Sequence, residues 1–164
     1  MAEVRVKGLD ELQKLLDELP AKIEKNVVRG GLRAGAKVVM EEAQRACPVG
    51  TGALPEGEPP NALRDSIRIS MRSAQGKVLA TVKAGNKTAY YAHFVEFGTA
   101  RHWIKPKNRK SLFLAGLMRE LIDHPGAQKK PFMRPAIDNK AEEAIEAMAE
   151  YCRERIPKEL GKLK

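Results

Sequence analysis

The sequence predicts an α+β domain in which a small antiparallel sheet packs against a long helix and a C-terminal helix. Three observations carry this. Within Ala21–Ala46, Ile23, Val27, Gly31, Ala34 and Val38 recur at helical spacing, and a second such stripe follows Pro135. Between them, Ile67, Ile69 and Met71 alternate with Arg68, Ser70 and Arg72; Val78, Ala80, Val82 and Ala84 alternate beyond Gln75–Gly76, as in a two-stranded hairpin. The length of 164 residues suits one domain, spanning 1–164 and able to bury about two-thirds of its unfolded surface.

Taken in order, Val4 and Val6 alternate with charged neighbours, which reads as a short strand ending at Gly8. Leu9, Leu12, Leu15, Leu16 and Leu19 then trace one face of a helix that ends near Pro20. In the long helix, Gly30, Gly31, Ala34, Gly35 and Ala36 allow another backbone close, at up to ~1 kcal/mol of helix propensity per glycine. Packing on the sheet is the expected use. Residues 48–60 hold four prolines and three glycines without periodicity, and are expected to form a mobile loop that orders on assembly. Pro48, Gly50, Gly52, Pro55, Pro59 and Pro60 give it that character. An interdomain linker is the rival reading, but too little chain precedes it to fold alone. Asn61 is placed to cap a single turn over Ala62–Asp65.

Ala89–Thr99, AYYAHFVEFGT, concentrates two of three tyrosines and two of four phenylalanines. Such clustering marks either a core anchor or a partner surface, because aromatics bury the most apolar area. Tyr90, Phe94 and Phe97 fall at helical spacing, and Gly98 with Thr99 ends the element. A strand is also compatible with this composition; a short helix is the reading adopted. Phe97 is then expected to anchor the fold. Glu96, between Val95 and Phe97 at the negative end of such a helix, needs a partner, and Arg or Lys side chains of this chain or a neighbour are expected to supply it.

Beyond Thr99 the chain is basic and turn-rich to Arg109, with a strand within Ser111–Leu114, a short element over Leu117–Ile122 and a turn at His124–Gly126. Pro135 suits the first turn of the terminal helix. Its inner stripe is Ile137, Ala141, Ala144, Ile145, Met148 and Cys152, with Glu142, Glu143, Glu146 and Glu150 outside. Pro157 is expected to end it, leaving 158–164 as a frayed tail.

YAHFVEFGTARH, with HPG at His124–Gly126 and PFMRPA at Pro131–Ala136, resembles the tail-component family of tailed bacteriophages, neck or tail-completion proteins related in kind to minor tail protein Z. PVGTGAL at Pro48–Leu54 and LRDSI at Leu63–Ile67 extend the resemblance to roughly Val4–Met148. One departure is that PEGEPPNA, residues 55–62, separates the TG-x-L and R-x-S-I words that the family commonly runs together. The resemblance implies a structural virion protein rather than an enzyme: a homo-oligomeric ring, sixfold like the tail, that completes the tail or joins it to the head. Implied partners are further copies of the chain and tail or head-completion proteins. An assembly surface is expected at Tyr91, Glu96, Phe97, Gly98, Thr99, Arg101, Trp103, Lys105, Lys107 and Arg109, with Glu96→Gln expected to impair the ring and leave the monomer folded.

The net charge of +9 is uneven, with nine Lys/Arg against Glu120 and Asp123 between Thr99 and Pro135. Such a region favours an acidic protein surface or nucleic acid, so a basic nucleic-acid-binding protein without sequence specificity is the alternative function. Trp103 among these charges suits a protein interface, a base-stacking surface, or a solvated loop covering the core edge. No apolar run approaches the ~20 residues that cross a bilayer, and MAEVRVKG lacks the apolar core of a signal peptide. The protein is therefore expected to stay where it is made, in the host cytoplasm, until it enters the virion. Cys47 and Cys152 lack metal-type spacing and read as reduced, partly buried thiols. His93, His102 and His124 are too scattered for a metal triad, and no GxSxG, HExxH or Walker loop is present. No cofactor is expected.

Overall fold

The computed structural model describes residues 21–49, 59–74, 77–106, 111–114 and 116–161. In order these form α1 (Ala21–Ala46), α2 (Ala62–Asp65), β1 (Arg68–Ala74), β2 (Lys77–Lys83), α3 (Ala92–Phe97), β3 (His102–Ile104), β4 (Leu112–Leu114), β5 (Leu117–Arg119), β6 (Ile122–His124) and α4 (Met133–Leu160). The expected strand at Val4–Gly8, the helix at Leu9–Leu19, loop residues 50–58 and the last three residues lie outside the described residues. The architecture is α+β, and among the described residues the strands form three two-stranded antiparallel ladders.

α1 and α4 are the principal packed pair. A Cβ on Gly35 would lie 2.6 Å from the Ala144 carbonyl oxygen, and one on Gly31 would lie 2.9 Å from Cys152 Sγ. The α4 positions fall as the α1 positions rise, so the helices run antiparallel. The glycines of α1 thus admit a helix at positions where the sheet was expected, while the β1–β2 hairpin packs elsewhere on α1. Among the described side chains the buried positions of α1 are Val27, Gly31, Gly35, Val39 and Ala43, continued by Cys47; Ile23 of the expected stripe lies outside them. Ala34 and Val38, expected on the stripe, are half-buried beside it. Strict spacing by four advances the stripe about 40° per step around a 3.6-residue helix. It therefore meets two cores in succession. Val27 packs with Cys152 and Ile156, while Val39, Ala43 and Cys47 pack with Leu63, Ile67, Ala89, Ala92, Phe132 and Ala136.

The β1–β2 hairpin has the register Ile69↔Val82, Met71↔Ala80 and Ser73↔Val78, so the alternating apolar residues share one face as expected. Val82 and Ala84 pack against the larger core. α2 forms without a side-chain cap from Asn61, whose carbonyl accepts the Asp65 N–H instead. Ser66 joins the parts: its hydroxyl donates to the Leu63 carbonyl (2.6 Å) and accepts the Gly85 N–H (2.8 Å).

After α3 the chain makes a long arm. It starts at the Thr99↔Ala127 bridge, continues through the β3–β6 ladder, and ends in the β4–β5 ladder. Ile104 pairs with Ile122 and Leu112 with Arg119, so seven residues of sequence join the two ladders on the outgoing side and two on the return. Leu114 pairs with Leu117 at the tip, and Gly116 takes φ +81° in the two-residue connection, where such turns require a positive φ.

α4 continues through Pro157 to Leu160, correcting the expected stop. Pro157 is exposed, and the helix accommodates one missing N–H on its solvent side. Glu142, Glu143, Glu146 and Glu150 are exposed as expected, but Ile137 is 51% exposed and is not an inner residue.

Candidate functional site

The centre of the site is α3 and what its two faces do. Asn86 Oδ1 accepts the Thr88 and Ala89 N–H groups, turning the chain out of the hairpin and setting the entry to α3. Ala89, Ala92 and Glu96 then point inward, and Tyr91 and Val95 lie against the core, half-buried. Tyr90, Phe94 and Phe97, the residues at helical spacing, face outward at 63, 41 and 78% exposure. The aromatic cluster is thus a surface feature, and the expected anchoring role belongs to Phe132, which is fully buried.

Glu96 is 8% exposed and its carboxylate is taken up within its own chain. Oε2 accepts the backbone N–H groups of Phe132 (2.8 Å) and Met133 (3.0 Å), and Oε1 accepts that of Arg134 (3.0 Å). Helix α4 has Phe132 as its N-cap residue, and no side chain at that position bonds the first turn. Glu96 does so from another element. Pro135 has no N–H to satisfy, and the Ala136 N–H reaches the Phe132 carbonyl, so the first turn of α4 leaves no orphan donor. The positive end of a 28-residue helix offsets the burial of the carboxylate. The expected Arg or Lys partner is replaced by backbone amides, which are invisible to charge counting. His93, one turn earlier, is exposed and contacts the Tyr90 carbonyl rather than Glu96.

Gly98 ends α3 with φ 72° and ψ −179°, and a Cβ there would lie 2.7 Å from the Ala127 carbonyl oxygen. Gly126, at φ +92°, meets the opposite strand, where a Cβ would collide with the Thr99 carbonyl oxygen. The two glycines let the arm's strands close at its root. There Thr99 and Ala127 exchange backbone hydrogen bonds of 3.0 and 3.2 Å, and the Ala127 N–H also reaches Thr99 Oγ1 at 2.8 Å. The words EFGT, HPG and PFMRPA are therefore parts of one joint, between α3, the arm and α4.

On the arm, Arg101 forms a two-pronged ion pair with Asp123, with Nε 2.8 Å from Oδ1. The pairing holds the Asp123 carboxyl below its usual range and raises Arg101. Lys105 is exposed, and Trp103 is 58% exposed, so it does not cover the core edge. Lys107 and Arg109 lie outside the described residues, as do loop residues Gly50, Gly52 and Pro55; Pro48, Pro59 and Pro60 are described at the loop's two ends. Phe113, Leu117, Met118 and Leu121 are exposed at 74, 56, 70 and 42%. These residues are unremarked as a surface in the sequence, where they read only as short apolar strand segments.

A groove of about 840 Å³ lies between α1, β2, α3 and α4, and its lining is mainly apolar. Leu32 and Val39 contribute from α1, Val82 from β2, Phe97 from α3, and Ile137 and Ile145 from α4. Cys47 and Cys152 are buried free thiols, and burial pushes Cys47 up to about 11 and Cys152 in the same direction. Among the described residues no three His, Cys, Asp or Glu side chains are placed to hold a metal ion, and no helix is long and apolar enough to cross a membrane.

No curated protein and no solved structure matches the chain. A family model, HK97-gp10-like, matches residues 10–98, from the leucine stripe through the glycine that ends α3. That match covers more than half of the sequence, and the chain belongs to the HK97-gp10-like family of bacteriophage tail components.

Proposed function

We propose that the protein is a non-enzymatic virion component that assembles with copies of itself into a ring, completing a phage tail or joining it to the head. The single observation that carries this is the outward display of large apolar side chains on α3 and the arm, Phe97, Phe113 and Met118 each being at least 70% exposed. Phe113 and Met118 are cross-strand partners on one ladder, and large apolar groups exposed together are characteristic of association surfaces. In this reading the chain is made in the host cytoplasm, joins the tail through complementary surfaces, and takes no cofactor. Ordering a loop on assembly costs about 1–2 kcal/mol per residue, which burial at the interface offsets. The tail's own symmetry sets the copy number at six.

Mass measurement across a concentration series tests this, with a discrete closed oligomer as the expected result. A chain that remains monomeric at millimolar concentration overturns it. A second reading, sequence-independent nucleic-acid binding, draws on the +9 charge and on the exposed Trp103 near Lys105. Salt separates the two, because phosphate binding weakens steeply with ionic strength whereas association through buried apolar surface does not.

A further inference from the structure

We propose that the outer face of the β1–β2 hairpin of one copy docks on the outward ridge of α4 of the next, a basic sheet face against an acidic helix. The contact rests on the self-assembly reading above and names the two surfaces that meet.

The hairpin supplies the basic half. Strand alternation and register put Arg68, Arg72, Lys77, Leu79 and Lys83 on one face, turned away from the core, and all five are exposed. That face holds four cations and no carboxylate. Arg68 stands directly opposite Lys83, and like charges paired across strands repel. Arg68 leans on the Ser66 and Gly85 carbonyls. Arg72, Lys77 and Lys83 form no ion pair among the described residues. Leu79, opposite Arg72 and 60% exposed, gives the face an apolar centre.

Helix α4 supplies the acidic half. Glu142, Glu146, Glu150 and Glu154 recur every four residues, and all are exposed. Ala144, Met148, Cys152 and Ile156 recur with the same step on the side that meets α1. Two residues, about 200° of helix, separate each glutamate from its counterpart, so the carboxylates keep to the outward ridge. The row is bordered by Arg153 and ends at Lys158. Carboxylates beside it are paired within the chain, Asp138 with Arg134, Glu143 with Lys140 and Glu159 with Arg155. The four on the ridge form no ion pair among the described residues, although like charges four apart on a helix repel.

The two surfaces match in length as well as in charge. Glu142 to Glu154 spans about 18 Å of helix, and the hairpin face is about 20 Å long. The hairpin and α4 each pack on α1 through their inner faces, so the charged faces do not meet within one copy. A helix laid over the hairpin gives it the cover that two strands lack alone. The charges set partner and register, and apolar groups such as Leu79 add affinity. Because the surfaces differ, each copy keeps one of each kind after a contact, and the chain of contacts closes as a ring when the rotation closes.

Charge reversal tests this. Arg72→Glu with Lys77→Glu reverses the hairpin, and Glu146→Lys with Glu150→Lys reverses the ridge. Either double variant is expected to associate about tenfold or more weakly than the parent while melting like it. A chain carrying all four substitutions is expected to recover the parent's assembly, since both surfaces are then reversed together. An equimolar mixture of the two double variants is expected to recover it too, alternating around a ring of even copy number. Double variants that assemble like the parent, or a fourfold variant no better than they are, overturn the contact and leave the ring reading standing. If a double variant melts lower, Arg72→Gln with Lys77→Gln and Glu146→Gln with Glu150→Gln remove the charges without reversing them, and parental association by these chains overturns the contact. A hairpin variant that keeps the parent's assembly but loses binding to a duplex DNA oligonucleotide assigns the face to nucleic acid and likewise overturns it. A parent that never associates overturns both readings.

Discussion

The carboxylate of Glu96 accepts the backbone N–H of Phe132 at 2.8 Å, joining the last turn of α3 to the start of α4. The two residues are 36 apart, and the whole arm is the excursion between them. One buried contact therefore fixes three things: the angle of α3, the beginning of the C-terminal helix, and the point where the arm leaves the body. The Lys130 N–H adds a second tie to the Val95 carbonyl at 2.8 Å. The outward tilt of Phe94 and Phe97 follows from Glu96 being drawn inward.

Glu96→Gln is expected to destabilise the monomer by about 1–3 kcal/mol, since an amide nitrogen then faces backbone donors in a buried site. This reverses the expectation drawn from sequence, in which the variant affected assembly alone. Chemical denaturation checks it, and a midpoint equal to the parent's counts against the capping role.

Phe97→Ala is expected to stay within about 0.5 kcal/mol of the parent, as an exposed side chain with little packing to lose. Phe132→Ala is expected to cost about 3–5 kcal/mol, because it opens a cavity in the core. Thermal melts of the two variants decide between them, and equal losses refute the assignment.

Gly35→Ala is expected to cost about 1–3 kcal/mol despite alanine's better helix propensity, because the new methyl meets the rigid backbone at Ala144. Gly116→Ala lies in open space and carries only the strain of φ +81°, about 1–2 kcal/mol, confined to the arm. Amide exchange on α1 and α4 separates the two, with faster exchange expected only for Gly35→Ala.

Cys47 gives an alkaline prediction. Its thiol is held up to about 11 in the folded chain against an ordinary value of 9.0. The folded state therefore retains a proton that the unfolded state releases as pH rises, so stability falls from about 9.0 towards 11. Compared with the parent, Cys47→Ala is expected to flatten this part of the stability curve and to slow alkylation at neutral pH no further. A pH profile parallel to the parent's contradicts it.

Local periodicity was sufficient for the elements whose partners are close in sequence. The β1–β2 hairpin, the boundaries of α1 and the single turn of α2 follow from alternation, helical spacing and turn residues that act over a few positions. The family words were legible too, as words. The tertiary structure alone decided what they do. Three aromatic residues at helical spacing in and just before α3 carry no sign for inside or outside; the sign came from Glu96, which three backbone amides at the start of a helix formed far along the chain draw into the core. Likewise the glycines of α1 announce a close approach without naming the approaching element, and α4 rather than the sheet filled it. Pro157 reads as a stop locally, yet α4 runs on to Leu160, because its lost hydrogen bond lies on an exposed face. Local patterns fix the backbone of each element, whereas the direction each face turns depends on long-range hydrogen bonds and packing that no local window contains.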